Sequence, residues 1–222
     1  VTLATASDGG GSVRLPATFT GCVVLKPRHG RIPNGPDSHW LTVQTATHGP
    51  LTRTVEDAAL HLDLVCGPHP LDPLSLPAPG MSYREALPRL PKHLRIGFSP
   101  DLGYAVVQRD VADVVAEAAV AFERLGHAVE IVKGGPPEMG RDWGMVNVFD
   151  TLARLHHLLP EREHAFGRTF LAGVKQGRAM TPERWEAAQR RREELSRWCA
   201  DLFSQHDLLL TPTVPYDPPP AR

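Results

Sequence analysis

Ser12 follows three consecutive glycines, with Asp8 just before them and Arg14 two residues beyond, in the stretch Ala6-Ser7-Asp8-Gly9-Gly10-Gly11-Ser12-Val13-Arg14-Leu15-Pro16-Ala17. Glycines reach positive φ and let another molecule approach the main chain with no Cβ in the way. Consecutive N–H groups on such a turn converge on one anionic oxygen, which is what an oxyanion hole requires. A serine closing the turn would hold its Oγ beside those donors. That suits acyl transfer, in which a hydroxyl attacks a carbonyl while amides hold the oxyanion. Gly-Gly-Gly-Ser is equally the composition of a flexible loop. The stretch is not the serine elbow Gly-x-Ser-x-Gly, because Arg14 stands where the second glycine belongs. It is neither a Walker A loop nor a dinucleotide fingerprint, since the glycine spacing and the Lys-Ser/Thr pair are missing. Read locally, it is an anion-cradling turn that ends in a serine.

Other reactive side chains give less. Cys22, Cys66 and Cys199 are odd in number and far apart. They form neither a metal-ligand spacing nor a disulfide framework, and they fit a reducing compartment. His156 and His157 are adjacent, so they point to different helix faces and make no i, i+4 metal pair. The expectation is no metal and no cofactor. Lysine and arginine total 24 against 25 acids, a formal net charge of −1, so no basic field draws nucleic acid. The run Arg190-Arg191-Arg192 is followed at once by Glu193-Glu194 and reads as a solvated helix face. No apolar stretch is long enough to span a bilayer, and residue 1 begins no signal-peptide pattern. The expectation is no nucleic-acid and no membrane partner; a homodimer is allowed but not demanded, and the expected location is cytoplasmic.

The elements that must position the turn follow from periodicity. The 222 residues are 41% hydrophobic and 22% charged, enough for a folded core. The chain opens without methionine inside an apolar, β-prone segment and reads as a piece of something longer. Residues 1–6 predict a strand feeding the turn, and Pro16 would end a helix after Ser12 unless it sits in the first turn. Residues 21–25 predict a buried strand, and residues 32–50 a long loop. Thr54-Val55-Glu56-Asp57 is a capping-box-like start. It leads into a helix with Val55, Ala58, Ala59, Leu62, Val65 and Cys66 on one face, stopped by Gly67 and Pro68. Residues 68–91 are proline-rich and aperiodic. Residues 94–98 and 128–132 predict strands around a helix opening at Asp110, whose apolar face is Val111, Val114, Val115, Ala118, Phe122 and Leu125; this is an α/β unit with a parallel pair. Residues 143–159 predict a helix, and Thr181-Pro182-Glu183 opens the longest one, with Trp185, Ala188, Leu195, Trp198, Cys199 and Leu202 along its stripe. Residues 207–210 predict a last buried strand.

Three separated blocks resemble the amidase signature family. They are Asp8-Gly9-Gly10-Gly11-Ser12-Val13-Arg14-Leu15-Pro16-Ala17, continuing through Gly21 to Leu25-Lys26-Pro27 and Gly30-Arg31; Gly49-Pro50-Leu51-Thr52-Arg53-Thr54-Val55-Glu56-Asp57-Ala58-Ala59; and Leu209-Leu210-Thr211-Pro212-Thr213. The resemblance spans nearly the whole chain. It implies an α/β fold, a mixed and mostly parallel β-sheet surrounded by helices, here incomplete. On it, residues 1–222 form a single partial domain: 1–67 the signature core with the nucleophile loop, 68–93 a proline-rich excursion, 94–222 the α/β and helical remainder. It also implies a serine hydrolase of amide bonds with a small-molecule amide substrate, acting through a Ser–cis-Ser–Lys triad and a seryl acyl-enzyme to give an acid plus ammonia or an amine. Ser12 matches the family's acylated nucleophile. Gly9, Gly10, Gly11 and Ser12 match the residues whose N–H groups form its oxyanion hole. Asp8 and Arg14 match positions that brace the loop, the carboxylate accepting nearby donors and the guanidinium forking to a carboxylate.

The resemblance places the bridging cis-serine and the lysine base upstream of the nucleophile, before anything in this chain. Lys26 belongs to the Lys-Pro turn and does not match that base. An unactivated serine hydroxyl is a poor nucleophile near neutral pH, so residues 1–222 alone are expected to be inactive. Two other readings stay open: a tRNA-dependent amidotransferase subunit of the glutamyl-tRNA type, and a catalytically silent scaffold of the same fold. The amidotransferase branch usually has glutamine at the position of Leu15 and cysteine at that of Thr20, and this chain has neither.

Overall fold

Threonine, alanine and serine alternate with few bulky side chains before the glycine turn, a composition that lets one strand lie flat against another. The computed structural model describes residues 2–35, 45–89 and 91–220. In it Leu3–Asp8 (β1) pairs antiparallel with Thr47–Thr52 (β3), in register from Leu3↔Thr52 to Asp8↔Thr47. Val23–Val24 (β2) pairs with the other edge of β3, giving the order β1-β3-β2.

The central strand is therefore one that periodicity reads as loop. Gly49 and Pro50 hide it, since both normally punctuate strands. Each has a local reason here. Pro50 turns its carbonyl to the Leu25 N–H at 3.5 Å. Its nitrogen lies on the same side, where the two-residue β2 has already ended, so no ladder bond is lost. Gly49 lies under the Leu25 carbonyl, and a Cβ there would stand 2.2 Å from that oxygen. Residues 36–44 of the expected loop lie outside the described residues.

The strand expected over 21–25 shrinks to the two half-buried valines of β2. Gly21 instead ends the helix Arg14–Thr20 (α1) in a left-handed conformation, φ 64°, and Leu25 leaves the ladder beside Pro50. Pro16 sits in the first turn of α1, where its missing N–H costs nothing. Val55–Val65 (α2) starts where the capping pattern puts it, Thr54 Oγ1 accepting from Asp57 N–H at 3.1 Å. Its buried face is Ala58, Ala59, Leu62 and, unexpectedly, His61. His61 Nε2 lies 2.8 Å from Thr5 Oγ1 of β1, and burial pushes its pKa down, favouring the neutral ring. The proline-rich stretch that follows contains a short helix, Tyr83–Ala86 (α3), with Asp63 accepting from Tyr83 N–H and Ser82 Oγ.

A second sheet is all parallel. Arg95–Phe98 (β4) lies between Ala128–Ile131 (β5) and Leu208–Leu210 (β6). The fold is thus mixed α/β, with its antiparallel pairs in one sheet and its parallel pairs in the other. Arg109–Arg124 (α4) makes the crossover from β4 to β5. Val111, Val115, Ala118 and Phe122 of the expected stripe lie on its inner side with the buried Ala119, while Val114 and Leu125 face outward. Alanine has little side chain, so the helix packs closest there. The expected buried strand at 207–210 is only half-buried, Leu208 being exposed at its start.

The chain divides into two compact units. The first comprises Val1–Asp101, Ala105–Val132 and Asp207–Arg222 and holds both sheets. The second, Leu102–Tyr104 with Lys133–His206, is helical: Gly140–Leu155 (α5), Leu159–Arg162 (α6), Arg168–Lys175 (α7) and Pro182–Gln205 (α8). The single helix expected over 143–159 breaks after Leu155, where His156 Nδ1 lies 2.6 Å from the Ala153 carbonyl. Helix α7 has no counterpart among the sequence expectations. Asp142 of α5 and Arg191 of α8 form a two-pronged ion pair, and Arg190 pairs with Glu186 one turn back, so two arginines of the basic run have acidic partners rather than only solvent.

The Gly49 contact yields a stability prediction. Gly→Ala at an unstrained, open site stabilises by about 0.4–1 kcal/mol. Gly49→Ala should instead destabilise by about 3 kcal/mol, because backbone must move to admit the methyl. Urea unfolding midpoints of the two proteins check this.

Candidate active site

Asp8 ends β1 with its side chain 1% exposed. A carboxylate removed from water must find donors, and this one finds five. Oδ1 accepts from Gly11 N–H at 2.8 Å and from Arg14 Nη2 at 2.9 Å. Oδ2 accepts from Arg14 Nε at 2.9 Å and from the N–H groups of Val13 and Arg14, both at 3.3 Å. The backbone donors lie in the first turn of α1 and just before it, where amides have no partner inside the helix. Burial works against the Asp8 charge. The Arg14 fork and the Gly11 N–H outweigh it and hold the carboxyl well below the usual carboxylate range.

This clamp fixes the shape of the turn. Gly11 takes φ 117°, a conformation L side chains rarely adopt, and a Cβ there would press on Leu15 Cδ1 at 3.0 Å. Its carbonyl accepts the Leu15 N–H at 2.8 Å and so joins the turn to α1. Val13 packs inward at 1% exposure, while Ser12 beside it is exposed. Of the four amides the sequence offers for an oxyanion, the Gly11 N–H faces Asp8. Those of Gly9, Gly10 and Ser12 meet no acceptor among the described residues. The structure therefore gathers Asp8, Gly9, Gly10, Gly11, Ser12 and Arg14 into one clamped turn with a serine at its lip.

Lys26 belongs to the same cluster, and sequence reasoning did not place it there. Its Nζ donates to the Asp8 carbonyl at 3.0 Å, the Thr45 carbonyl at 2.6 Å and Thr47 Oγ1 at 3.0 Å. The available signal was a lysine closing the apolar run Cys22-Val23-Val24-Leu25 directly before Pro27, a position with little reason to carry charge unless it is partnered. Burial pushes its pKa down; Asp8 pulls it up and Arg14 pushes it down further. One carboxylate and two cations leave the underside of the turn with a net positive charge, which favours an anion developing above it.

A cleft of about 610 Å³ opens beside the turn, lined by Arg14, Thr18, Cys22, Val24, Lys26 and Thr213 among others. It brings the first and third sequence blocks to one place. The three cysteines are unpaired. Among the described residues no three His, Cys, Asp or Glu side chains group to hold a metal, and no helix is long and apolar enough to cross a membrane. His156 and His157 stand edge to face, 5.8 Å between ring centres.

The Amidase family model matches residues 1–222. An acylamidase of Rhodococcus erythropolis is 36% identical over 231 residues, covering 96% of this chain and 45% of that protein. A glutamyl-tRNA(Gln) amidotransferase subunit of Gloeobacter violaceus is 32% identical over 240 residues, covering 94% of this chain and 48% of its own. The solved structure of a bacterial aryl acylamidase belonging to the amidase signature enzymes superposes with a TM-score of 0.88 at 27% identity, covering all of this chain and 48% of that one. The chain spans about half the length of the curated relatives it matches.

The Asp8 clamp has a pH signature. Its pKa is lower folded than unfolded, so its stabilisation is fully present above the unfolded value of about 3.9 and fades as pH falls below it. Asp8→Asn should cost about 2–4 kcal/mol at pH 7, less than breaking a fully enclosed pair because the Arg14 side chain is 45% exposed. The gap between the two proteins should stay constant above about pH 5 and narrow below about pH 4. Denaturant titrations across that range measure it.

Proposed function

The chain belongs to the amidase family, and from that premise we propose that Ser12 is the nucleophile of an enzyme hydrolysing carboxylic amides, with the Gly9, Gly10 and Ser12 N–H groups as its oxyanion hole. The observation that carries this reading is an exposed serine beside three amides that meet no acceptor among the described residues, on a turn locked by a buried carboxylate. Gly11 enters as the residue that fastens the turn to Asp8.

The chemistry runs in two stages. Ser12 Oγ gives up its proton and attacks the amide carbonyl carbon, and the carbonyl oxygen takes the negative charge within reach of the free amides. The proton passes through the bridging serine to the lysine of the Ser–cis-Ser–Lys triad that the family resemblance implies. Lys26 is not that lysine, because its Nζ faces two carbonyls and Thr47 Oγ1. The C–N bond then breaks, the nitrogen takes a proton, and ammonia or an amine leaves. Water attacks the seryl ester, releases the acid and restores the hydroxyl. Removing one oxyanion donor typically costs about 100–1000-fold in rate, so the turn weighs nearly as much as the nucleophile.

The relatives named acylamidase and aryl acylamidase support an acyl amide, including an aryl amide, as the substrate class. Three unpaired thiols support a reducing, cytoplasmic setting. A second reading, that of an amidotransferase component, rests on the similarity to the Gloeobacter protein. Against it stands Leu15, which packs over Gly11 where that branch usually has glutamine. Co-purification of partner chains with the whole protein would favour this second reading.

Ser12→Ala in the whole protein should abolish covalent labelling by a fluorophosphonate and hydrolysis of acyl anilides, with the unfolding temperature little changed. Undiminished labelling would move the nucleophile elsewhere.

A further inference from the structure

Lys26 has no part in the proton relay, yet its ammonium sits against the underside of the turn. An ammonium carries three N–H donors, and each of these meets an oxygen from a different place: the end of β1, Thr45, and Thr47 of β3. The bond to β1 goes to the main-chain carbonyl of Asp8. A peptide group is planar and trans, so that carbonyl and the Gly9 N–H point in opposite directions. Pinning the oxygen on Lys26 therefore sets the direction of the Gly9 N–H, away from the ammonium, where it meets no acceptor among the described residues. A carbonyl bonded to a cation is also polarised, which makes the N–H of the same peptide a stronger donor. The two cations of the site divide the work on one residue: Arg14 holds the side chain of Asp8, and Lys26 holds its main chain.

Resting on the reading of Ser12 and the Gly9 donor above, we infer that Lys26 is a positioning residue for the oxyanion site, aiming and polarising the Asp8–Gly9 peptide. An aimed, polarised N–H gains most where charge is greatest, on the tetrahedral oxyanion rather than on the planar amide. The effect of Lys26 therefore lies in kcat more than in KM. Arginine does not replace it, because a planar fork cannot direct three donors at oxygens arranged around a point charge.

The test uses the whole protein, with kinetics normalised to sites titrated by a fluorophosphonate. Lys26→Met should lower kcat per site about 10–100-fold, short of the full loss of a donor, while KM stays within about threefold. A boronic acid that forms a tetrahedral adduct at Ser12 should lose affinity in step with kcat/KM, and Lys26→Arg should not restore either. Wild-type kcat per site in Lys26→Met, or a loss confined to the number of folded sites, would overturn the inference. If Lys26→Met does not fold, Thr47→Val decides the matter by removing one of the three anchors at the same shape: kcat should fall about two- to tenfold at constant KM, and an unchanged kcat counts against the proposal. Ser12→Ala separates the two readings. Turnover surviving in Ser12→Ala removes the nucleophile assignment itself. Silence there, with normal kcat per site in Lys26→Met, removes only the role given to Lys26.

Discussion

One buried carboxylate needs five donors, and the shape of the turn is the solution to that demand. Asp8 cannot be charged at 1% exposure unless the first amides of α1 and the Arg14 guanidinium turn toward it. Once they do, Gly11 is forced to positive φ, Val13 is drawn inward, and Ser12, lying between them, is left outside. The exposed hydroxyl and the free amides are thus the remainder after the carboxylate has been satisfied. An ion pair that adds little net stability can still specify one geometry, and here it specifies the shape of the turn.

The antiparallel sheet delivers that carboxylate. Asp8 is the last paired residue of β1, opposite Thr47, the first of β3. Strand β3 passes between β1 and β2 only because Gly49 has no side chain to collide with Leu25 and Pro50 stands where β2 has stopped. Thr47 and Lys26 then meet beneath the turn. Lys26 lies just past β2 and Thr47 at the start of β3, so one ammonium joins all three strands' ends to the loop.

Much of this was legible in the sequence, and the failures share a cause. The capping pattern at Thr54, the proline-led helix start at Thr181-Pro182, and the strands on either side of α4 are legible because local chemistry alone decides them. The glycine-serine turn was visible by composition, with Asp8 and Arg14 flanking it. What stayed hidden depends on distant neighbours. Strand β3 carries two residues that look like breakers until Leu25 is placed beside them. His61 sits on a buried face because Thr5 waits across the gap with a hydroxyl. Lys26 looked like part of a basic turn until Thr45 and Thr47 came within reach of it. In α4, periodicity found the helix and most of its inner face, missing only that Val114 and Leu125 lie at its margins and face outward.

Strand β6 enters the parallel sheet from far along the chain: Asp207 meets Arg95 across 112 residues of sequence. All of α5 to α8 lies in that interval. On a ribosome, β4 and β5 would emerge and pair while one margin of β4 still had its amides and carbonyls open to any passing strand. Closing so long a loop is slow, and an unpaired margin invites association between nascent chains. That margin of β4 is covered only once the last strand of the sheet has been made.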